Sequence, residues 1–226
     1  MAHDWIVFGG WSLPPGILEP IFGKSGDYIN VNDFFFDLVD GAKLKDQWPS
    51  ILHGRVKDRV GNRDISLAGW SSGAYFAYAL AGIMRPRRLA LFSVSSSFCK
   101  RGRFTEGQDQ GVLKVMRRQL AKNKTAVLRD FQKQCGLPEF YAQSQRYSTD
   151  TLSCGLVFLE HVNLSALPIP LCPTSIFHGQ DDTIIPCKAG EQLGKEIKAR
   201  VTVMPGGHVF FMNKYNQILL QNFILG

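Results

Sequence analysis

Three polar side chains stand in short motifs suited to nucleophilic catalysis. Ser71 lies in Gly69-Trp70-Ser71-Ser72-Gly73, a G-x-S-x-G pentapeptide. Asp182 closes His178-Gly179-Gln180-Asp181-Asp182, four residues before Pro186. His208 ends Pro205-Gly206-Gly207-His208 and is the only histidine C-terminal to Asp182. A serine hydroxyl is a weak nucleophile until a base takes its proton, and imidazole does so once a carboxylate holds its orientation. Such a set attacks an ester carbonyl, forms an acyl-enzyme and releases it to water. The backbone N–H of Ser72, and that of Trp11 in Phe8-Gly9-Gly10-Trp11-Ser12, are the donors expected to hold the oxyanion. No metal or organic cofactor is implied.

Each motif alone has a plainer reading. Gly69–Gly73 could be a glycine-rich turn with an idle serine, and Asp181-Asp182 an Asx-type turn. Asp181 could also replace Asp182. His178 reads as structural, and His3, His53 and His161 carry no supporting motif. The weight comes from all three signals following strand ends, in the order Ser, Asp, His.

The elements that must position them can be read from apolar runs and breakers. Strands are expected over 4–8, 27–31, 65–68, 89–94, 174–177 and 201–204. Helices are expected over 14–22, 44–56, 72–84, 189–197 and 215–225. Strands alternating with helices imply an α/β fold with a mainly parallel sheet of about six strands and helices on both faces. Residues 99–165 interrupt the pattern with charged, helical periodicity. They read as a helical lid inserted between the fourth and fifth strands, with 1–98 and 166–226 as the core.

Net charge is +7 over 226 residues, and it is concentrated. Between Lys100 and Lys133, ten basic residues face three acidic ones, while the rest of the chain balances 16 against 16. That segment is either a solvated helix face or a docking surface for an acidic partner. It lacks the interleaved aromatics of single-strand nucleic-acid binders. The five cysteines are odd in number and show no C-x-x-C spacing, so they read as free thiols in a reducing compartment. No apolar run spans a bilayer and the first residues lack signal-peptide character, so the expected location is the cytoplasm, away from membranes.

The chain resembles the pimeloyl-acyl-carrier-protein methyl ester esterases, α/β hydrolases of biotin synthesis. Gly10-Trp11-Ser12 is similar to their Gly-Trp-Gly oxyanion loop, and Gly69–Gly73 to their Gly-Trp-Ser-x-Gly elbow. Ser95-Ser96-Ser97-Phe98-Cys99 is similar to their Ser-Ser-x-Cys segment, and 152–164 to the end of their lid. Ser12 departs from the family glycine, and Gly9-Gly10 from the frequent His-Gly. The resemblance implies hydrolysis of the pimeloyl methyl ester on acyl carrier protein, an acidic partner. It implies docking by Arg117, Arg118, Lys122, Lys124 and Arg129. It also implies a substrate-binding channel lined by Trp11, Trp70, Ser72 and Phe131. The alternative is a broad short-chain carboxylesterase or thioesterase with the same three residues.

Overall fold

The computed structural model describes residues 4–61, 63–102 and 104–225. Six strands form one sheet: β1 (Asp4–Phe8), β2 (Gly26–Ile29), β5 (Ile65–Trp70), β6 (Leu89–Phe92), β7 (Thr174–Gly179) and β8 (Arg200–Met204). A separate antiparallel hairpin pairs β3 (Val39–Asp40) with β4 (Lys43–Leu44). The helices are α1 (Glu19–Phe22), α2 (Phe35–Leu38), α3 (Trp48–Val60), α4 (Ser72–Met84), α5 (Gln110–Lys122), α6 (Lys124–Gln134), α7 (Thr149–His161), α8 (Cys187–Ile197) and α9 (Lys214–Leu225).

The strand order is β2-β1-β5-β6-β7-β8, and every neighbouring pair is parallel. Every residue of β5 and β6 is buried, which explains why both strands read as apolar runs without alternation. The chain leaves β1 toward β2 and later returns on its other side with β5. The carboxyl ends of β1 and β5 therefore flank the point where winding reverses, where open parallel sheets form a crevice. This is the α/β architecture expected from the sequence.

Local differences have local causes. The helix expected over 14–22 is a 3₁₀ turn (Pro15–Leu18), one α-turn (α1) and a second 3₁₀ turn (Gly23–Ser25). Pro20 has no N–H to donate, so it restarts the helix as an N-terminal residue of α1 and does not continue the turn before it. The helix expected over 44–56 begins at Trp48, where Pro49 fits the first turn, and runs to Val60. Within the inserted segment, helix begins only at Gln110. Residues 99–108 form isolated bridges, Cys99 with Gln108 and Arg101 with Phe104. The helix closing the segment, α7, is built into the core. Its Phe158 ring lies 5.6 Å from Phe35, 5.1 Å from Trp48 and 5.2 Å from Phe76.

Glycine lets the pieces meet at the crevice. A Cβ on Gly73, in the first turn of α4, would stand 2.2 Å from the carbonyl oxygen of Gly9 and 2.5 Å from that of Phe8. The end of β1 and the start of α4 thus touch backbone to backbone. Gly73→Ala must push them apart, and we expect a loss of about 1–3 kcal/mol, as for other overpacked sites. Gly54→Ala, at an exposed position in α3 with nothing within 4 Å, should instead add about 0.5–1 kcal/mol. Urea unfolding midpoints of the two variants against wild type check both signs.

Candidate active site

Ser71 follows β5 and caps α4 with φ 55° and ψ −123°, a left-handed backbone that serine rarely adopts. Such strain costs on the order of 1–3 kcal/mol and persists only where the surroundings enforce it. Here Ser71 N–H donates to Phe92 O at 3.0 Å, and Ala74 N–H donates to Ser71 O at 2.9 Å. The turn aims the hydroxyl at the loop after β8. Ser71 Oγ lies 3.0 Å from His208 Nε2, and His208 Nδ1 lies 2.8 Å from Asp182 Oδ2. A carboxylate only accepts, so Nδ1 carries the proton and the bare Nε2 faces the serine hydroxyl.

Asp182 follows β7 and is held on both oxygens. Oδ1 accepts the N–H groups of Ile184 and Ile185, both at 2.9 Å. Oδ2 faces His208 Nδ1 and, at 3.4 Å, His178 Nε2. Burial works to raise its pKa. The charge of His208, hydrogen bonds from His178 and His208, and the Ile185 amide outweigh burial and hold the carboxyl far below the usual carboxylate range. Asp181 is exposed and makes no such contacts.

His178 is fully buried, and its Nε2 donates to Ile185 O at 2.7 Å, fastening the turn that carries Asp182. A Cβ on Gly190 of α8 would stand 2.4 Å from its Nδ1. The structural reading of His178 thus acquires a second aspect, contact with the acid four residues on. His53 and His161 lie away from this cluster, with His161 Nε2 at 2.9 Å from Ala42 O. His3 lies outside the described residues.

The loop after β1 comes to the same place. Trp11 and Ser71 line one cavity, and among the described residues neither Trp11 N–H nor Ser72 N–H is paired in a turn, loop or cap. Ser72 N–H opens α4, where amides are unpaired and the helix dipole favours negative charge. Asn32, which sequence reasoning missed, fixes the loop. Its Oδ1 accepts Ser12 N–H at 2.9 Å, where Ser12 has φ 62°. No motif announces Asn32, because its contact spans twenty residues of chain.

Trp70 was expected in the substrate channel, but the structure places it behind His208. Its Nε1 donates to His208 O at 3.0 Å, and a Cβ on Gly10 would stand 2.7 Å from its ring. Ser72 is also fully buried and is not among the residues lining the cavity above Ser71. Trp11 and Phe131 do line a cavity of about 610 Å³ with Ser71 at its floor, and their rings meet edge to face at 4.9 Å. The other walls come largely from α5 and α6: Val112, Val115, Met116, Val127 and the neighbouring Leu156 and Leu159 of α7. This space suits an apolar acyl chain. Burial raises the pKa of all five cysteines, and none of them lines this cavity, which leaves Ser71 as its nucleophile candidate.

The five basic residues expected to dock a carrier lie on α5 and α6 but differ in freedom. Arg117 pairs with the buried Glu160 of α7 at 2.9 Å. Lys124 donates to the carbonyls of Gln145 and Tyr147, and Arg129 stacks over Phe140 at 5.1 Å. Arg118 and Lys122 are exposed. The serine-rich segment after β6 ties the insertion's entry to its exit. Ser97 Oγ donates to Cys99 O and Val162 O, and Leu164 N–H donates to Ser96 O.

A serine, an imidazole and a carboxylate in hydrogen-bonded series at a crevice of a parallel sheet define a serine-hydrolase arrangement. Residues 4–216 match the alpha/beta hydrolase family, and the chain belongs to it. It is 29% identical to a pimeloyl-[acyl-carrier protein] methyl ester esterase of Xylella fastidiosa over 97% of this chain and 94% of that one. It is 27% identical to the Nitrosomonas europaea protein of the same name over 93% and 90%. An esterase from Exiguobacterium antarcticum superposes with TM-score 0.80 at 15% identity, covering 100% of this chain and 94% of that one. Family membership and the esterase-named relatives support a carboxylic ester hydrolase. Among the described residues no helix is long and apolar enough to cross a membrane.

Asp182 should also shape acid stability. Its folded pKa lies below its unfolded value of about 3.9, so its contribution is present above pH ~4 and is lost as pH falls toward the folded value. Asp182→Asn should therefore lose less stability than wild type between pH ~5 and pH ~3. Urea unfolding at both pH values measures the difference. Equal acid losses would mean that the carboxylate is not stabilised as described.

Proposed function

We propose that the protein is a serine carboxylesterase that hydrolyses the methyl ester of pimeloyl-acyl carrier protein to pimeloyl-acyl carrier protein and methanol, a step of biotin synthesis in the cytoplasm. One observation carries the reading: Ser71 Oγ stands 3.0 Å from His208 Nε2 at the floor of an apolar cavity roofed by basic helices. The two relatives named for this reaction, matched over nearly their whole lengths, support the substrate.

In this reading His208 takes the Ser71 proton as Oγ attacks the ester carbonyl. The amides of Trp11 and Ser72 hold the oxyanion, and Asp182 stabilises the imidazolium. His208 then protonates the departing methanol. Water activated by the same imidazole frees the carboxylate and restores Ser71. Trp11 and Phe131 bound the acyl chain. Arg118 and Lys122, with Arg117, Lys124 and Arg129 around them, draw the acidic carrier to the lid, an exposed attraction that speeds encounter and fades with salt. The internal ties of Arg117, Lys124 and Arg129 favour the alternative, a broad short-chain carboxylesterase or thioesterase.

Ser71→Ala should abolish both fluorophosphonate labelling and ester turnover, and Asp182→Asn should lower kcat on the order of 10⁴-fold. Arg118→Ala with Lys122→Ala should lower kcat/KM for the carrier-bound methyl ester at low salt and leave a free p-nitrophenyl ester unchanged. Equal losses on both substrates, or none, would point to the broad esterase. Persistent labelling of Ser71→Ala would refute the nucleophile.

A further inference from the structure

The charges of the inserted segment are sorted by face. Of the three acids between Lys100 and Lys133, Asp109 and Asp130 line the cavity above Ser71, whereas none of the ten bases does among the described residues. Helix periodicity does the sorting. On α6, Val127, Asp130, Phe131 and Gln134 share one face and line the cavity, while Arg129 and Lys133 point elsewhere. Depth follows from exposure. Ser71 is 4% exposed, at the floor, while Asp109 and Asp130 are exposed, at the rim. Asp109 pairs with Lys100 at 3.2 Å, and Asp130 has no ion-pair partner among the described residues.

We propose that Asp109 and Asp130 form an acidic rim that rejects acyl chains ending in a free carboxylate and admits chains whose far end is neutral. The inference rests on the esterase reading and refines its substrate class. An ester carbonyl seated at Ser71 leaves the distal end of a diacid chain at the rim. A free half-ester places a carboxylate beside two others there, whereas a thioester to a carrier, or a second ester, places none. Like charges repel modestly at exposed sites and more beside apolar walls that exclude water. The outer basic face and the inner acidic rim then act on different parts of one substrate. The first attracts the carrier, and the second refuses the same acyl group without it.

The test compares dimethyl pimelate with monomethyl pimelate as substrates of the whole protein. Wild type should prefer the diester in kcat/KM. Asp130→Asn should narrow that preference roughly two- to fivefold, read as the ratio of the two kcat/KM values. The further change Asp109→Asn should narrow it again, although it also frees Lys100. Raising salt from about 0.1 M to about 1 M shortens the screening length from ~10 Å to ~3 Å and should narrow the wild-type preference in the same direction. Both side chains are exposed, so folding should be unaffected. A diester-to-half-ester ratio that neither variant nor salt changes overturns the rim. Failure of wild type to hydrolyse the diester overturns the esterase reading and the rim with it.

Discussion

The site depends on backbones that approach closer than any side chain would allow. The start of α4 meets the end of β1 through Gly73, and the turn after β7 meets the loop after β8 through Gly179, where a Cβ would stand 2.1 Å from Gly207 O. The first contact sets the distance between the Ser71 turn and the oxyanion loop. The second sets the distance between the Asp182 turn and the His208 loop. Catalytic groups must be placed to a fraction of an ångström, and backbone contact places them more firmly than flexible side chains can.

Polar anchors then remove the remaining freedom. Trp70, which immediately precedes Ser71, donates to the carbonyl of His208, and Ser93 donates to the same carbonyl at 3.2 Å. The base is thus held at its backbone by the last residue of β5 and the residue after β6, and at its ring by Asp182. Asp182 is in turn held by two amides. In the low dielectric of this buried cluster, an ion without such partners would neutralise itself. The lowered pKa of Asp182 expresses that network of donors.

Legibility in the sequence followed the range of the interaction. The G-x-S-x-G turn, the strand ends and the Ser, Asp, His order are local or periodic signals, and the structure sets those three side chains in one hydrogen-bonded series. Trp70 was misjudged because an aromatic next to a nucleophile reads equally as channel wall or as support. Its role depends on His208, 138 residues away. Asn32 and the tie between Ser97 and Val162 were invisible for the same reason. Helix α7 reads from its period as part of a lid, yet period alone does not say which body a helix packs against. Phe158 resolves that by joining the aromatic cluster of Phe35, Trp48 and Phe76.

That placement of α7 changes what the insertion can do. Its last helix is fixed in the core, and its entry and exit are laced together by Ser96 and Ser97. The buried Glu160 of α7 also grips Arg117 of α5, at 2.9 Å. A charge pair with one partner this buried resists separation, because opening would leave a carboxylate unpaired in an apolar setting. Helices α5 and α6 carry the cavity wall on one side and most of the insertion's exposed basic residues on the other. Under the proposed docking, a carrier held at Arg118 and Lys122 would press on the same helices that wall the cavity above Ser71, which would couple docking to chain admission through two short elements.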